Sequence, residues 1–404
     1  MLKIKIIGLV FISLFLSVNA FSATDIKSAF KEADVSGQLR LQYYERDYDI
    51  QNTREDIAAG GMFYYRTAPL YGVKLGVAFY TGQGMGLNDS DKDVYGLLNA
   101  DSSGNHDSYA ALGEAFISFE KYGTVLKAGR QELEIPWING DDNRFTPQSV
   151  FAYTLVNNSL PDFEIFVGHI TKMKGKASEN FDSMTNYAGI MSDDKGVTVS
   201  GLTYSGVENL KLQIWDFFAH EYFYNIYFKA DYEIKLTDSS GLCFALQYLD
   251  QNSTGRQLGG VINTYAAAAE VGYKISGFKA AFGYAEIDDQ DVAYPWGHDF
   301  LVSAMTNDSS RADETSYMGT ISYDFKDAGI PGLSIKVVHA DFDTPDSGVL
   351  ASPDLTETDL DVKYKLGGAM DGMALRFRYG IINKDEAMGG EDYDDFRLYV
   401  TYSF

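Results

Sequence analysis

DFRLYVTYSF, Asp395 to Phe404, ends the chain and decides how the rest is read. In an extended chain Phe396, Leu398, Val400, Tyr402 and Phe404 fall on one face. Arg397, Tyr399, Thr401 and Ser403 fall on the other. Period-two alternation marks a strand whose two faces meet different surroundings. GMALRFRYGII, Gly372 to Ile382, repeats the pattern: Leu375, Phe377, Tyr379 and Ile381 oppose Arg376 and Arg378. VSGQLRLQYY, Val35 to Tyr44, sets Val35, Leu39, Leu41 and Tyr43 against Gln38, Arg40 and Gln42. A soluble sandwich also alternates, but its apolar face is aliphatic and its polar face charged. Here the apolar face is rich in Tyr and Phe, and the polar face carries Gln, Thr, Ser, Arg, Lys and small residues. That reads as a lipid-facing outside and a wet inside.

The pattern extends over most of the chain. Proline cannot donate to a sheet ladder, and all 8 prolines fall in expected turns or loops. Eight short turns, among them the ones at APLYG (Ala68–Gly72), KYG (Lys121–Gly123) and ISG (Ile275–Gly277), alternate with longer polar segments. The longer segments are 45–58, 81–110, 131–147, 171–194, 250–261, 287–313, 342–356 and 383–393, with a tight turn near Ala219 and His220. Eight turns and two chain ends on one side make nine hairpins. The expected fold is therefore all-β: a transmembrane antiparallel barrel of about 18 strands, with short periplasmic turns and long extracellular loops. MTNYAGI, Met184 to Ile190, is a candidate for one further strand.

Residues 1–20 read as a secretory signal. Lys3 and Lys5 precede the apolar IIGLVFISLFLSV, and Val18 and Ala20 offer a small-residue cleavage site. Residues 21–404 then form one outer-membrane barrel domain. Cys243 is the single cysteine, so no intrachain disulfide is available. Aromatic residues make up 14%, which suits two interfacial girdles. The formal charge of −24 argues against a nucleic-acid partner. It suits acidic loops at a cell surface, bridged to lipopolysaccharide by divalent cations. The terminal Phe404 on an alternating strand fits the recognition signal of the outer-membrane assembly machinery. Both a monomer and a homotrimer fit, and no lipid face stands out as less apolar.

Catalytic and cofactor signatures are missing. The five histidines, His106, His169, His220, His298 and His339, show no His-x-x-x-His pair and have no cysteine partner. No Gly-x-Ser-x-Gly elbow or phosphate-cradling loop is present. The acidic runs NDSDKD (Asn88–Asp93) and EIDDQD (Glu286–Asp291) lack full calcium-loop spacing. No metal or cofactor is expected.

GRQELEIPWINGDDNRFTPQS, Gly129 to Ser149, covers the third long loop. Two prolines and Trp137 make it stiff and apolar for an exposed loop. A barrel this wide is an open channel unless something narrows it. Folded inward, the loop narrows it, and Asp141, Asp142 and Arg144 become parts of a charged constriction. Glu132 and Glu134 would add carboxylates opposite the arginines, giving a transverse field.

Gly129-Arg130-Gln131, Pro136, Asp141-Asp142-Asn143-Arg144 and Pro147-Gln148 together resemble the characteristic segment of the OprD-type family of substrate-specific outer-membrane porins. The family's usual aromatic and acidic residues after Pro-Gln-x are replaced by Val150 and Phe151. The resemblance implies an 18-stranded barrel whose third loop folds in, with basic side chains down the lumen wall. It implies passive diffusion of small carboxylates and amino acids.

The residues support part of that ladder independently. Arg40, Arg376, Arg378 and Arg397 lie on the polar faces of terminal strands that adjoin when a barrel closes. Arg66 joins them less cleanly, because Phe63, Tyr64 and Tyr65 blur the alternation. Strict alternation from Leu126 and Ala128 turns Arg130 towards lipid, but a bulge at the strand end re-aims such a side chain, and on that basis Arg130 is counted with the pore-lining residues. The expected function is a selective porin for small hydrophilic solutes in a Gram-negative outer membrane. A barrel enzyme and a surface adhesin are the alternatives.

Overall fold

The computed structural model describes residues 22–140, 143–191 and 195–404. The N-terminal signal expected at 1–20 and the constriction residues Asp141 and Asp142 lie outside the described residues.

Eighteen strands form the barrel wall. They are β1 (Asp34–Tyr48), β2 (Arg54–Arg66), β3 (Val73–Gln83), β4 (Tyr109–Lys121), β5 (Thr124–Gln131), β6 (Ser149–Asn157), β7 (Phe163–Lys174), β8 (Val197–Tyr204) and β9 (Leu210–Ala219). They continue as β10 (Phe223–Lys235), β11 (Ser240–Ser253), β12 (Asn263–Ile275), β13 (Phe278–Ile287), β14 (Thr315–Asp324), β15 (Leu333–Asp343), β16 (Leu355–Lys365), β17 (Met373–Lys384) and β18 (Tyr393–Ser403). Neighbours in sequence pair antiparallel, and β1 closes the ring against β18 from Gln38↔Ser403 to Tyr48↔Tyr393. Closure leaves no unpaired edge, as a sheet in lipid requires.

Alternation becomes two faces. Leu39 and Leu41 are 57% and 48% exposed, whereas Arg40 and Gln42 between them are 8% and 2% exposed. The short turns use left-handed backbone. Between β4 and β5, Tyr122 and Gly123 have φ of 52° and 70°, the positive pair whose twist suits a two-residue hairpin.

The long loops differ from the sequence expectation in two places. The first spans only 49–53, because β1 and β2 pair as far as Arg46↔Arg54. MTNYAGI adds no wall strand: Met184–Tyr187 form one helical turn capped by Ser183, and β7 pairs directly with β8. A fragment of strand, Phe181–Ser183, only extends the β7 edge.

The barrel interior is two-sided. Along β6 to β9 the inward face is largely apolar, with Val150, Ala152, Phe166, Val199, Trp215 and Phe217 buried, and on β10 and β11 the apolar Tyr227 and Leu249 alternate with buried Asn225, Gln247 and Gln251. Leu133, Ile135, Trp137 and Ile138 of loop 132–148 pack there, together with Val292 and Trp296 of loop 288–314. The polar inner face expected from the terminal strands belongs to the opposite arc, β15 to β18 and β1.

Candidate solute path

Loop 132–148 contacts both arcs. On one side Arg40 on β1 donates from Nη1 to the Phe145 carbonyl at 2.8 Å and to the Arg144 carbonyl at 3.4 Å. Tyr44, also on β1, donates to the Asn143 carbonyl at 3.1 Å. On the other side Trp137 meets Tyr227 of β10 edge-on, with ring centres 5.6 Å apart. Asn139 donates to the His298 carbonyl at 3.0 Å. At the loop's start, Glu132 accepts from Tyr64 at 2.8 Å and from Tyr80. Glu134 accepts from the Gly140 amide at 3.2 Å. Glu132 and Glu134, two of the carboxylates that suggested a transverse field, are thus engaged in holding the loop.

Four of the expected arginines come together at the barrel seam. Cross-strand register aligns Lys336, Asp361, Arg378, Arg397 and Tyr44 in one inward row over β15, β16, β17, β18 and β1. The next row towards the periplasm holds Lys363 and Arg376. Asp361 accepts from Arg376 Nε at 2.9 Å and Nη2 at 2.5 Å, and lies 3.5 Å from Arg378 Nε. A two-point guanidinium–carboxylate bond fixes orientation as well as charge.

Arg397 is on this face but covered, at 1% exposure. Asp395 binds its Nε at 2.7 Å, and Tyr95 of loop 84–108 accepts from its Nη2 at 3.0 Å. Tyr95 also accepts from Arg46 at 3.1 Å and donates to Asp395. Burial pushes the Tyr95 phenol up to about 12, against the pull of the Arg397 guanidinium. Asp56 anchors the same loop, accepting from the amides of Gly96 at 2.6 Å and Leu97 at 2.7 Å. Arg144 reaches this group from loop 132–148, its guanidinium 5.1 Å from the Tyr95 ring centre.

The two remaining arginines lie elsewhere. Arg66 faces inward at the periplasmic end of β2, bound to Glu114 at 2.9 Å, with Lys127 on the same carboxylate at 3.7 Å. Arg130 points outward with Leu126 and Ala128, and no bulge re-aims it: β5 pairs in unbroken register with both neighbours. It donates to the Leu112 carbonyl at 3.2 Å and lies over the Phe181 ring. It is therefore not on the lumen wall.

The sequence reading overlooked the carboxylates and lysines between the arginines. TETDLDVKYK, Thr356 to Lys365, alternates Glu357, Asp359, Asp361 and Lys363 on one face. The same period-two rule that found the arginines finds these. The coverage of Arg397 by Tyr95 carries no such signal, since 302 residues separate the partners.

Chemically, the seam is a row of fixed cations with fewer carboxylates, beside an interior half-filled with apolar side chains. Low-dielectric walls focus the field of such a row along any aqueous path beside it.

The fold and the chain both have known counterparts. Among solved structures, the chain is similar to Pseudomonas aeruginosa OccK9 (OpdG), at 20% identity and a TM-score of 0.85, covering 93% of this chain and 99% of that one. Acinetobacter baumannii OccAB2 aligns at 19% identity and a TM-score of 0.83 with the same coverage. Pseudomonas aeruginosa OpdK, in a structure with vanillate, aligns at 18% and 0.81, again over 93% and 99%. No curated protein matches the chain. The family described as outer membrane porin, OprD family, matches residues 28–404. With that match over nearly its whole length and a closed barrel of eighteen strands, the chain belongs to the OprD family of porins of the Gram-negative outer membrane.

Proposed function

We propose that this porin passes small hydrophilic solutes bearing a carboxylate, including amino acids, by passive diffusion along its basic seam. The observation that carries the reading is the inward row Lys336–Asp361–Arg378–Arg397 with Arg376 beneath it. Cations outnumber carboxylates along it, and guanidinium groups stay charged and fork onto carboxylates. Loop 132–148 serves as the constriction, held by Arg40 on one side and by Trp137 against Tyr227 on the other. In this reading Arg144, Arg376 and Arg378 face the solute, while Arg40 and Arg397 fix the loops and contribute field from behind. Arg66 and Lys127 continue the positive lining towards the periplasm. The presence of vanillate, a carboxylate, in the OpdK structure agrees with this class of solute.

Uptake into liposomes tests the reading. The expected result is faster entry of a small carboxylate than of its neutral amide at equal size, with the difference shrinking as salt screens the wall. Equal or faster entry of the amide overturns it.

A further inference from the structure

The outer face of β3 to β8 is not uniformly apolar. Register places Leu75, Ile117, Ala128, Tyr153, His169 and Thr198 in one outward row across these six strands. A parallel row below it contains Val73, Phe119, Leu126, Leu155 and Val167. Between the rows runs an open groove of about 540 Å³, floored at the small Ala128. Val73 is the first residue of β3, beside a periplasmic turn. Thr198 is the second residue of β8, at its extracellular end. The groove therefore climbs from the periplasmic side to the extracellular rim.

Its upper end is polar and basic. His169 Nδ1 lies 3.1 Å from the Thr198 hydroxyl, which lies 3.0 Å from His220 Nε2. One row higher, Arg130 and Lys172 flank Phe151 as its two cross-strand neighbours. Lys195 stands nearby, 3.5 Å from Glu221. Elsewhere the outward rim is acidic: Glu45 and Glu55 meet at Tyr43, Glu286 sits on Tyr284, and Asp394 on Tyr379. In a chain of charge −24 this arc gathers cations and imidazoles among its carboxylates, which include Glu179 on the Ala110 amide and Glu221 beside Lys195. Asp216, opposite Ser200, marks the far end of the lower row.

We infer that this arc is a docking site for one lipopolysaccharide molecule of the outer leaflet. An acyl chain lies in the groove, and a sugar phosphate is held at the rim by Lys172, Arg130 and His169. The chemistry is complementary at both ends: apolar side chains with the chain, cations and imidazole with the phosphate. Basic residues near an anionic lipid surface attract it, so the charge difference between this arc and the acidic rim favours one position. The inference gives Arg130 a role on the lipid side, which the solute path does not use, and rests only on the barrel.

The full-length protein in detergent, titrated with lipid A bisphosphate and followed by native mass spectrometry, tests this. A one-to-one complex is expected. Dephosphorylated lipid A should bind about tenfold more weakly, as should the Arg130→Glu/Lys172→Glu variant. Ala128→Trp fills the groove and should lose the complex, while Glu286→Gln on the acidic rim should keep it. Unchanged heat-modifiable mobility and conductance show that each variant is folded. Equal binding with and without phosphate, full retention in both groove and rim variants, or a second copy of the chain occupying this face in place of lipid overturns the proposal.

Discussion

Asp361 on β16 grips Arg376 on β17 through both carboxylate oxygens, while its second oxygen also lies 3.5 Å from Arg378. One carboxylate thus partly neutralises two cations in the middle of the basic wall. Asp361→Asn keeps the shape and removes the charge. The anion preference should increase, read as a larger zero-current potential of anionic sign in a KCl gradient. An unchanged reversal potential would show that Asp361 is remote from the path.

Arg40 clamps loop 132–148 to the wall. Its Nη1 holds the carbonyls of Phe145 and Arg144. Hydrogen bonds from charged donors contribute roughly 1.5–3 kcal/mol. Arg40→Ala should therefore loosen loop 132–148, giving larger and noisier single-channel currents and new protease cleavage in the loop. Arg40→Lys should rescue only in part, because one ammonium cannot hold the Phe145 carbonyl and also the Gln38 side chain that Nε binds.

Tyr95 joins loop 84–108 to Arg46, Asp395 and Arg397. Tyr95→Phe leaves these charged groups without that hydroxyl, at a cost of about 1–3 kcal/mol, measured as earlier urea unfolding. The pH sign follows from its raised folded value of about 12. The unfolded phenol ionises near 10, so the stabilisation is complete below pH 10 and is lost as pH rises through 12. Ultraviolet titration of wild type against Tyr95→Phe should resolve one late-ionising tyrosine. A difference spectrum rising near pH 10 would contradict the buried cluster.

Gly37 on β1 admits the terminal aromatic ring. A Cβ there would lie 2.7 Å from both Phe404 Cζ and the Met62 carbonyl oxygen, and the Gly37 amide donates to the Phe404 carbonyl at 3.0 Å. Gly37→Val should displace the Phe404 ring and slow closure of β1 on β18. The expected outcome is a lower yield of heat-modifiable barrel and slower folding into vesicles. Wild-type yield and rate would remove this contact from the closing step.

Much of this architecture was legible because a barrel wall writes itself locally. Arg376 and Arg378 lie on one face by simple alternation, and that face is the lumen. The prolines and turns placed the hairpins, so eighteen strands could be counted before any pairing was known. The loop edges were less legible: Glu45 to Tyr48 and Arg54 to Ala58 look like a polar loop, yet they pair as strand. The site was half legible. Alternation turns Arg130 outward, and the structure keeps it there, because the bulge that would bring it into the pore lining does not form. Arg397 could be assigned to the right face, but not to its burial, because the covering Tyr95 comes from a distant loop. The apolar interior along β6 to β9 was hidden for the same reason: its partners Trp137 and Trp296 arrive from separate loops.

The most direct test of the basic seam is the reversal potential of single channels in planar bilayers under a KCl gradient, comparing wild type with Arg376→Ala/Arg378→Ala. The account predicts a discrete conductance with an anion preference that falls in the double variant. A cation-selective pore unchanged by the substitutions, or no conductance from a demonstrably folded barrel, would contradict it.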